Sequence, residues 1–316
     1  MNKILLNGDS KIELKLLKEG SIDLLATDPP YGISFMGKDW DKVLPDVDIW
    51  KECYRVLKPG SFIAVMSSPR SDVLYRMIKD LEDAGFDMSF SPILWTYHTG
   101  FPKASDTSKM IEKRGLDGTK YEGSKLGFQP KPAIEHIIIG MKPHGQKSYI
   151  DNVLNFEELP DNVKRTYPFL QTPKPSKKEK DLGMTGEEKE RAITNQNKKC
   201  LKCDKWELSG TNESCGCDKP DYKHAKSKNN HPTTKPVKLM SYIITLFTRE
   251  GDWVLDPFMG SGTTGVASKL LDRNFVGIEM TPEYIDIAEQ RLSVSRQDLV
   301  KYFKGVIKEE QTKLDI

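Results

Sequence analysis

Apolar and polar positions alternate in two rhythms along most of the chain. Ile22 to Ala26 is a short, nearly unbroken apolar run, the pattern of a strand buried on both faces of a parallel sheet. The next stretch, VDIWKECYRVLKPG, carries Ile49, Cys53 and Val56 at helical spacing and ends in a Pro-Gly stop. SFIAVMSS (61 to 68) reads as a second buried strand, SDVLYRMIKDLEDAG as a helix closed by glycine, and SPILWTYH and AIEHIIIGM as two further strands. After a long interruption the rhythm returns: KPVKLMSYIITLFT predicts a helix, DWVLDPF a strand, TTGVASKLLD a helix and NFVGIEM a strand. TPEYIDIAEQRL then opens with Thr281 at an N-cap position and Pro282 at the first helical position. Strands alternating with helices predict an α/β protein with a mostly parallel sheet covered by helices.

The interruption, residues 142 to 230, is rich in Lys, Glu, Asn, Gly and Pro and poor in large apolar residues in its later part. Such a segment buries too little surface to offset its ordering entropy unaided, so it reads as an insertion, a linker or a small module needing a staple. Residues 171 to 230 hold 14 Lys or Arg against 10 Asp or Glu, whereas the whole chain of 316 residues carries a net charge of only +2. This modest basic bias fits a nucleic-acid partner and a solvated surface segment equally well. No apolar stretch approaches the ~18 residues of a bilayer span, so no membrane association is expected. The N-terminus shows no basic-then-apolar leader, and the expected compartment is the cytoplasm. Thiols stay reduced there, so the five cysteines should be free or metal-bound.

Two loops carry candidate chemistry. The first, Asp28-Pro29-Pro30-Tyr31, follows directly on the Ile22 strand. Two prolines fix φ and remove backbone donors, leaving a stiff corner of carbonyl acceptors beside a carboxylate and an aromatic ring. In open α/β sheets ligands bind at the carboxyl ends of strands, where this corner falls. A plain strand-ending turn explains the same four residues. The second loop, LDPFMGSGTTG, places Gly260 and Gly262 between a strand and a helix, where absent side chains let backbone approach a ligand. Glu279 closes the next strand 23 positions after Asp256, about where a nucleotide-fold acid meets ribose hydroxyls. No lysine follows the second glycine, as a phosphate-binding P-loop would require, and the glycine pair is too close for a dinucleotide fingerprint. The loop therefore points to an adenosine-like ribose without a required phosphate.

DPPY, DPFMGSGTT and HPTTKP (231 to 236) together resemble the amino-group DNA methyltransferases, which transfer methyl from S-adenosylmethionine to the exocyclic nitrogen of adenine or cytosine. The order, catalytic corner first and cofactor loop last, is similar to the group called β. The resemblance covers roughly residues 1 to 141 and 231 to 295. It implies a Rossmann-like methyltransferase fold, with a catalytic domain over residues 1 to 141 and 231 to 316 and target recognition in residues 142 to 230. Matched residue by residue, Asp28, Pro29, Pro30 and Tyr31 fall on the catalytic corner. Asp256, Phe258, Gly260, Ser261 and Gly262 fall on the loop around the cofactor's methionine part, with Asp28 beside it. Glu279 matches the ribose acid and Asp9 the acidic position near adenine, while Thr233, Thr234 and Lys235 match a further cofactor-side motif.

What the resemblance implies for mechanism is orientation of a poor nucleophile toward an activated methyl group, on a base flipped out of the duplex. Asp at the first motif position favours adenine N6 in this family. Cytosine N4 and RNA methylation use the same scaffold, and a zinc-containing DNA-binding protein without catalysis is the reading of a different class. Expected partners are duplex DNA, a second copy in a homodimer, and a separate restriction endonuclease, since no nuclease motif is visible; the expected setting is prokaryotic or phage-encoded. Phe35 and Trp40 are candidate walls of the base pocket that fit packing roles better, and His98 and Arg70 default to structural roles.

CLKCDKWELSGTNESCGC offers Cys200, Cys203, Cys215 and Cys217. A C-x2-C hook with a second close pair resembles a zinc ribbon at about residues 198 to 220, in which four thiolates hold a structural metal. The second pair is one residue short of the usual spacing, so His224 could replace a ligand. In a nearly coreless stretch, metal binding would supply folding energy. Cys53, on an apolar helix face, reads as core.

Overall fold

The structure is a computed structural model that describes residues 1–33, 41–97, 105–126, 133–145, 169–190, 198–200, 202–203, 206–207, 217 and 226–304. Among these, eight strands form one sheet: β1 (Lys3–Asn7), β2 (Ile22–Thr27), β3 (Leu57–Ser67), β4 (Ile93–Thr96), β5 (Ile134–Met141), β6 (Phe169–Gln171), β7 (Trp253–Asp256) and β8 (Asn274–Glu279). Their order across the sheet is β1-β8-β7-β2-β3-β5-β4-β6. Every pairing is parallel except the two made by β5, which runs against both β3 and β4.

The apolar runs explain why the sheet is covered on both sides. Leu24 and Ala26 of β2 face one core with Ala64 and Met66, while Ile22 and Leu25 face another with Ile63 and Val65. The second face is closed by α1 (Val47–Val56) and α2 (Ser71–Asp83) through Trp50, Cys53, Met77 and Leu81. The first is closed by α3 (Val237–Phe247), α4 (Thr263–Leu270), α5 (Pro282–Ser293) and α6 (Arg296–Tyr302). The central strands β8, β7 and β2 are buried on both faces, as their continuous apolar pattern requires, while β4 alternates buried Ile93 and Trp95 with half-buried Leu94 and Thr96.

Several boundaries differ from the sequence reading. Lys3–Asn7, too polar at its ends to signal a strand, pairs with β8 through all five residues and forms one edge of the sheet. β3 begins at Leu57 and runs through the Pro-Gly pair expected to end the preceding helix; its register against β2 shifts between Ile22 and Leu24, where the extra residues are absorbed. Thr281 is the N-cap of α5, but its side chain makes no capping bond; its backbone N–H donates instead to Glu279 Oε1 at 2.7 Å.

The stretch from 142 to 230 does not stand wholly apart from the catalytic body. β6 extends the main sheet beyond β4, and Trp95 Nε1 donates to the Thr172 carbonyl at 2.8 Å. Asp181 accepts from the Ser227 hydroxyl and from the Lys228 and Asn229 amides, tying residues on both sides of the cysteine-rich segment together. No helix among the described residues is long and apolar enough to cross a membrane.

Candidate active site

Three acids end three neighbouring parallel strands. β8, β7 and β2 are adjacent, so Glu279 and Asp256 at the ends of β8 and β7, and Asp28 just after β2, lie side by side at the carboxyl edge of the sheet. This is where a doubly wound sheet opens a crevice for ligand. A cavity of about 290 Å³ occupies it, near the lower end for small-molecule sites.

The cavity's floor is the glycine loop after β7. Asp256, 3% exposed, accepts from the hydroxyls of Thr27 and Thr264, each at 2.6 Å, and from the Phe258 N–H at 3.1 Å. Burial pushes its carboxyl up to about 6 against those three donors. Gly260 donates its N–H to Glu279 Oε2 at 3.0 Å, so Glu279 is held at both oxygens, and burial raises its pKa. Gly260 and Gly262 adopt φ of 51° and 73°, and a Cβ on Gly260 would fall 2.6 Å from His231 Nε2. Glycine is required here for the turn and for the close approach of the 231 to 236 segment.

Asp9 and Ser10 reach the cavity from the turn after β1: Asp9 caps the Lys11 N–H at 2.9 Å, and the buried Ser10 hydroxyl donates to the Pro257 carbonyl at 2.5 Å. Thr233 and Thr234 line the opposite side, the Thr234 and Ser261 hydroxyls lying 3.3 Å apart. Phe258 lines it too, with its ring edge-on to Trp50 at 5.8 Å. His231 is kept neutral by burial, its pKa lowered to about 3.

The proline corner closes one end. Asp28 and Pro30 line the cavity, Pro29 is buried, and Tyr31 turns its hydroxyl inward to Asp28 Oδ1 at 2.7 Å. Lys235 was expected on the cofactor side; it lines the cavity, but its ammonium pairs with Asp28 Oδ2 and lies 3.5 Å from Glu135 Oε2. Burial is the main influence raising the Asp28 pKa, with Lys235 opposing and Glu135 reinforcing it. Lys235 stays protonated because its two carboxylate neighbours outweigh its own burial.

Three residues of this site escaped the sequence reading. Glu135 near the start of β5 accepts from the hydroxyls of Tyr31 at 3.2 Å and Tyr97 at 3.3 Å. A lone acid in the apolar run AIEHIIIGM was the signal that could have found it. Asp41, 2% exposed, accepts the backbone N–H groups of Tyr31 at 2.6 Å and Gly32 at 3.1 Å, fixing the exit of the corner. Arg291, 2% exposed on α5, holds the glycine loop through the Ser261 carbonyl. Arg70 is paired with Asp72 on the surface at the start of α2. Phe35, Trp40 and His98 lie outside the described residues.

Away from the crevice, Cys200, Cys203 and Cys217 bring their sulfurs within 4.8 Å of one another. The C-x2-C hook sits in a hairpin whose strands Lys198–Lys199 and Trp206–Glu207 pair antiparallel. Cys215 and His224 fall outside the described residues. Cys53 is fully buried in the core, as its place on the helix indicated.

A mixed, mostly parallel sheet with an acid-lined crevice at its carboxyl edge is the ligand-binding architecture of doubly wound α/β proteins. The chain belongs to the N6_N4_Mtase family of DNA methylases, whose model matches residues 22–290. It is 29% identical over 290 residues to the type II methyltransferase M.HpaI of Haemophilus parainfluenzae, covering 88% of this chain and 70% of that one. It is 26% identical over 331 residues to the DNA adenine methyltransferase YhdJ of Escherichia coli (strain K12), covering 96% and 88% respectively. The fold is similar to that of the cytosine-N4-specific PvuII DNA methyltransferase, with a TM-score of 0.52 and 20% identity over 98% of this chain and 93% of that one.

Proposed function

We propose that the protein is a DNA adenine N6-methyltransferase using S-adenosylmethionine, acting on an adenine flipped out of duplex DNA. The observation that carries this reading is the placement of Asp28, with its proline corner, beside a ribose-type acid and a glycine loop in one cavity. The residues fit the cofactor: Glu279 retains acceptor capacity for ribose hydroxyls beyond the two N–H groups it binds, and the glycine turn admits backbone contact without phosphate. S-adenosylmethionine, when bound, supplies a methyl group already activated by its sulfonium.

The protein's own task is then orientation. An adenine amino nitrogen is a weak nucleophile because its lone pair is delocalised into the ring. Accepting its two hydrogens at the Asp28 carboxylate and the Pro29 carbonyl turns the lone pair out of the ring plane and toward the methyl. The carboxylate also stabilises the positive charge that grows on nitrogen as the N–C bond forms, and receives the proton that leaves. The proline rings hold the carbonyl still, and Asp41 holds the N–H groups that follow. Flipping costs the duplex a few kcal/mol, offset by stacking on Tyr31. For that, the Tyr31 ring must present a face to the base while its hydroxyl stays anchored on Asp28.

Residues 142 to 230 are assigned to target recognition, anchored where β6 joins the sheet beside the base pocket. The thiol cluster is assigned to structural zinc. Tetrahedral zinc–thiolate geometry sets sulfurs about 3.8 Å apart, and Cys200 and Cys217 are 4.0 Å apart. Metal content near one zinc per chain, lost with a gain in protease sensitivity in Cys200→Ala, supports this; a metal-free wild-type protein sinks it.

The deciding experiment is transfer of labelled methyl from S-adenosylmethionine to unmethylated duplex DNA, followed by digestion and mass identification. N6-methyladenine is expected. N4-methylcytosine would keep the mechanism and reassign the base, and an unlabelled duplex would overturn the reading.

A further inference from the structure

The charge balance behind the proline corner is uneven. Among the described residues, Asp28 and Glu135 share one cation within 4.0 Å, Lys235, and all three side chains are at most 20% exposed. Among the described residues, the other titratable groups facing them are the hydroxyls of Tyr31 and Tyr97, with Lys174 over the Tyr97 ring at 4.5 Å, His231 beside Lys235 and Asp256 one strand away. A carboxylate buried only to balance Lys235 would be redundant, because Asp28 already does so. A surplus buried charge is unfavourable unless something compensates it. What would compensate it is a cation that forms during turnover, and methyl transfer to an amino group makes one.

The topology explains how the surplus acid arrives. β5 is the strand that runs against its neighbours, so its beginning, not its end, lies at the carboxyl edge of the parallel strands. Trp95 is paired with Glu135, and Tyr97 follows β4 at the same edge. Glu135 thereby reaches Tyr31 and Lys235, the two groups that hold Asp28 from either side, and it does not line the cofactor cavity.

We propose that Glu135 is a positioning residue of the base pocket, holding Tyr31 and Lys235 against Asp28 and placing a second carboxylate behind Asp28 that favours the cationic amine of the transition state. This rests on the methyltransferase reading above for its kinetic consequence, but its electrostatic core does not. The Glu135 carboxylate raises the proton affinity of Asp28 and Lys235 lowers it, so removing either charge shifts Asp28 in opposite directions.

The test uses the full chain carrying Glu135→Gln or Lys235→Gln, with the Asp28 carboxyl titrated by carbon NMR in the absence of DNA. Asp28 is expected to titrate at lower pH in Glu135→Gln and at higher pH in Lys235→Gln. Shifts in the same direction, or none, overturn the proposal whatever the substrate; if Glu135→Gln fails to fold, Glu135→Asp, which draws the same charge back from Asp28, is read in its place and should also move the Asp28 titration to lower pH. With active wild-type enzyme, Glu135→Gln should slow single-turnover methyl transfer by at least about tenfold, with the acid limb of the rate profile moved to lower pH and cofactor affinity within about twofold. A rate within twofold of wild type, or rate and cofactor affinity falling together, also overturns it. Wild-type protein that leaves DNA unlabelled refutes the methyltransferase reading, and the titrations still judge the proposal.

Discussion

Arg291 donates from Nη1 to the Ser261 carbonyl at 2.6 Å, carrying a buried cation directly beneath the glycine loop. The same nitrogen reaches the hydroxyls of Ser261 at 3.1 Å and Thr263 at 3.0 Å, while burial lowers the arginine's pKa to about 10. The loop's shape is thus set by a helix 30 residues further along the chain. Arg291→Met keeps much of the packing but leaves these acceptors without their donor. It should lower stability by about 2–4 kcal/mol, read as a lower urea midpoint with unchanged slope.

Gly262 is held from the other side. Its φ is 73°, and a Cβ there would sit 2.9 Å from the Ala288 Cβ on α5. Gly262→Ala should cost about 1–3 kcal/mol through strain and overpacking, with weaker cofactor binding by calorimetry. An unchanged melting temperature would show that α5 yields without cost.

In the proposed reading Glu279 serves binding, not chemistry. Glu279→Gln replaces one acceptor oxygen by an amide that must face either the Gly260 or Thr281 N–H, or the ribose. Cofactor affinity should fall about 10–100-fold, equivalent to about 1.4–2.7 kcal/mol. The rate at saturating cofactor should stay within a few-fold, since Glu279 does not touch the amino group. A collapse of that rate would move Glu279 into the chemical step.

Asp256 gives a pH dependence with a definite sign. Its pKa is raised to about 6 from an ordinary value of 3.8, so between these pH values the folded protein keeps a proton that the unfolded chain has released. Stability from this group is full below about pH 4, falls as pH rises toward 6 and is flat above, a change on the order of 2–3 kcal/mol. Asp256→Asn removes the titration. The melting temperature of the variant relative to wild type should therefore rise between pH 4 and pH 7 and level off above. A difference independent of pH would show that the three donors hold Asp256 ionised throughout.

Asp28→Ala should reduce methyl transfer by at least about 100-fold, the scale of losing a preorganised electrostatic group at the reacting atom. DNA binding by gel shift should remain measurable. Equal loss of binding and rate would make Asp28 a structural anchor of the corner.

Periodicity alone determined the α/β class, the helices on both faces of the sheet and most of the strands, because burial on one or two faces is written into adjacent residues. The proline corner, the glycine turn and the acid ending β8 were legible for the same reason: each is a local solution to a local requirement. Their meeting in one cavity needed the strand order β8-β7-β2, which places side by side three segments far apart in sequence. Lys235 sat in a recognisable motif, yet its pairing with Asp28 depends on how residues 231 to 236 cross the crevice. Asp41, Glu135 and Arg291 had no local signature strong enough to assign them, because what defines each is a partner between 9 and 104 residues away. Residues 169 to 171 joined the sheet for a similar reason, since an edge strand is held by backbone hydrogen bonds that any sequence can make. Side-chain pattern fixes which face of an element is buried, but which elements meet, and in which direction the fifth strand runs, is settled only when the sheet assembles.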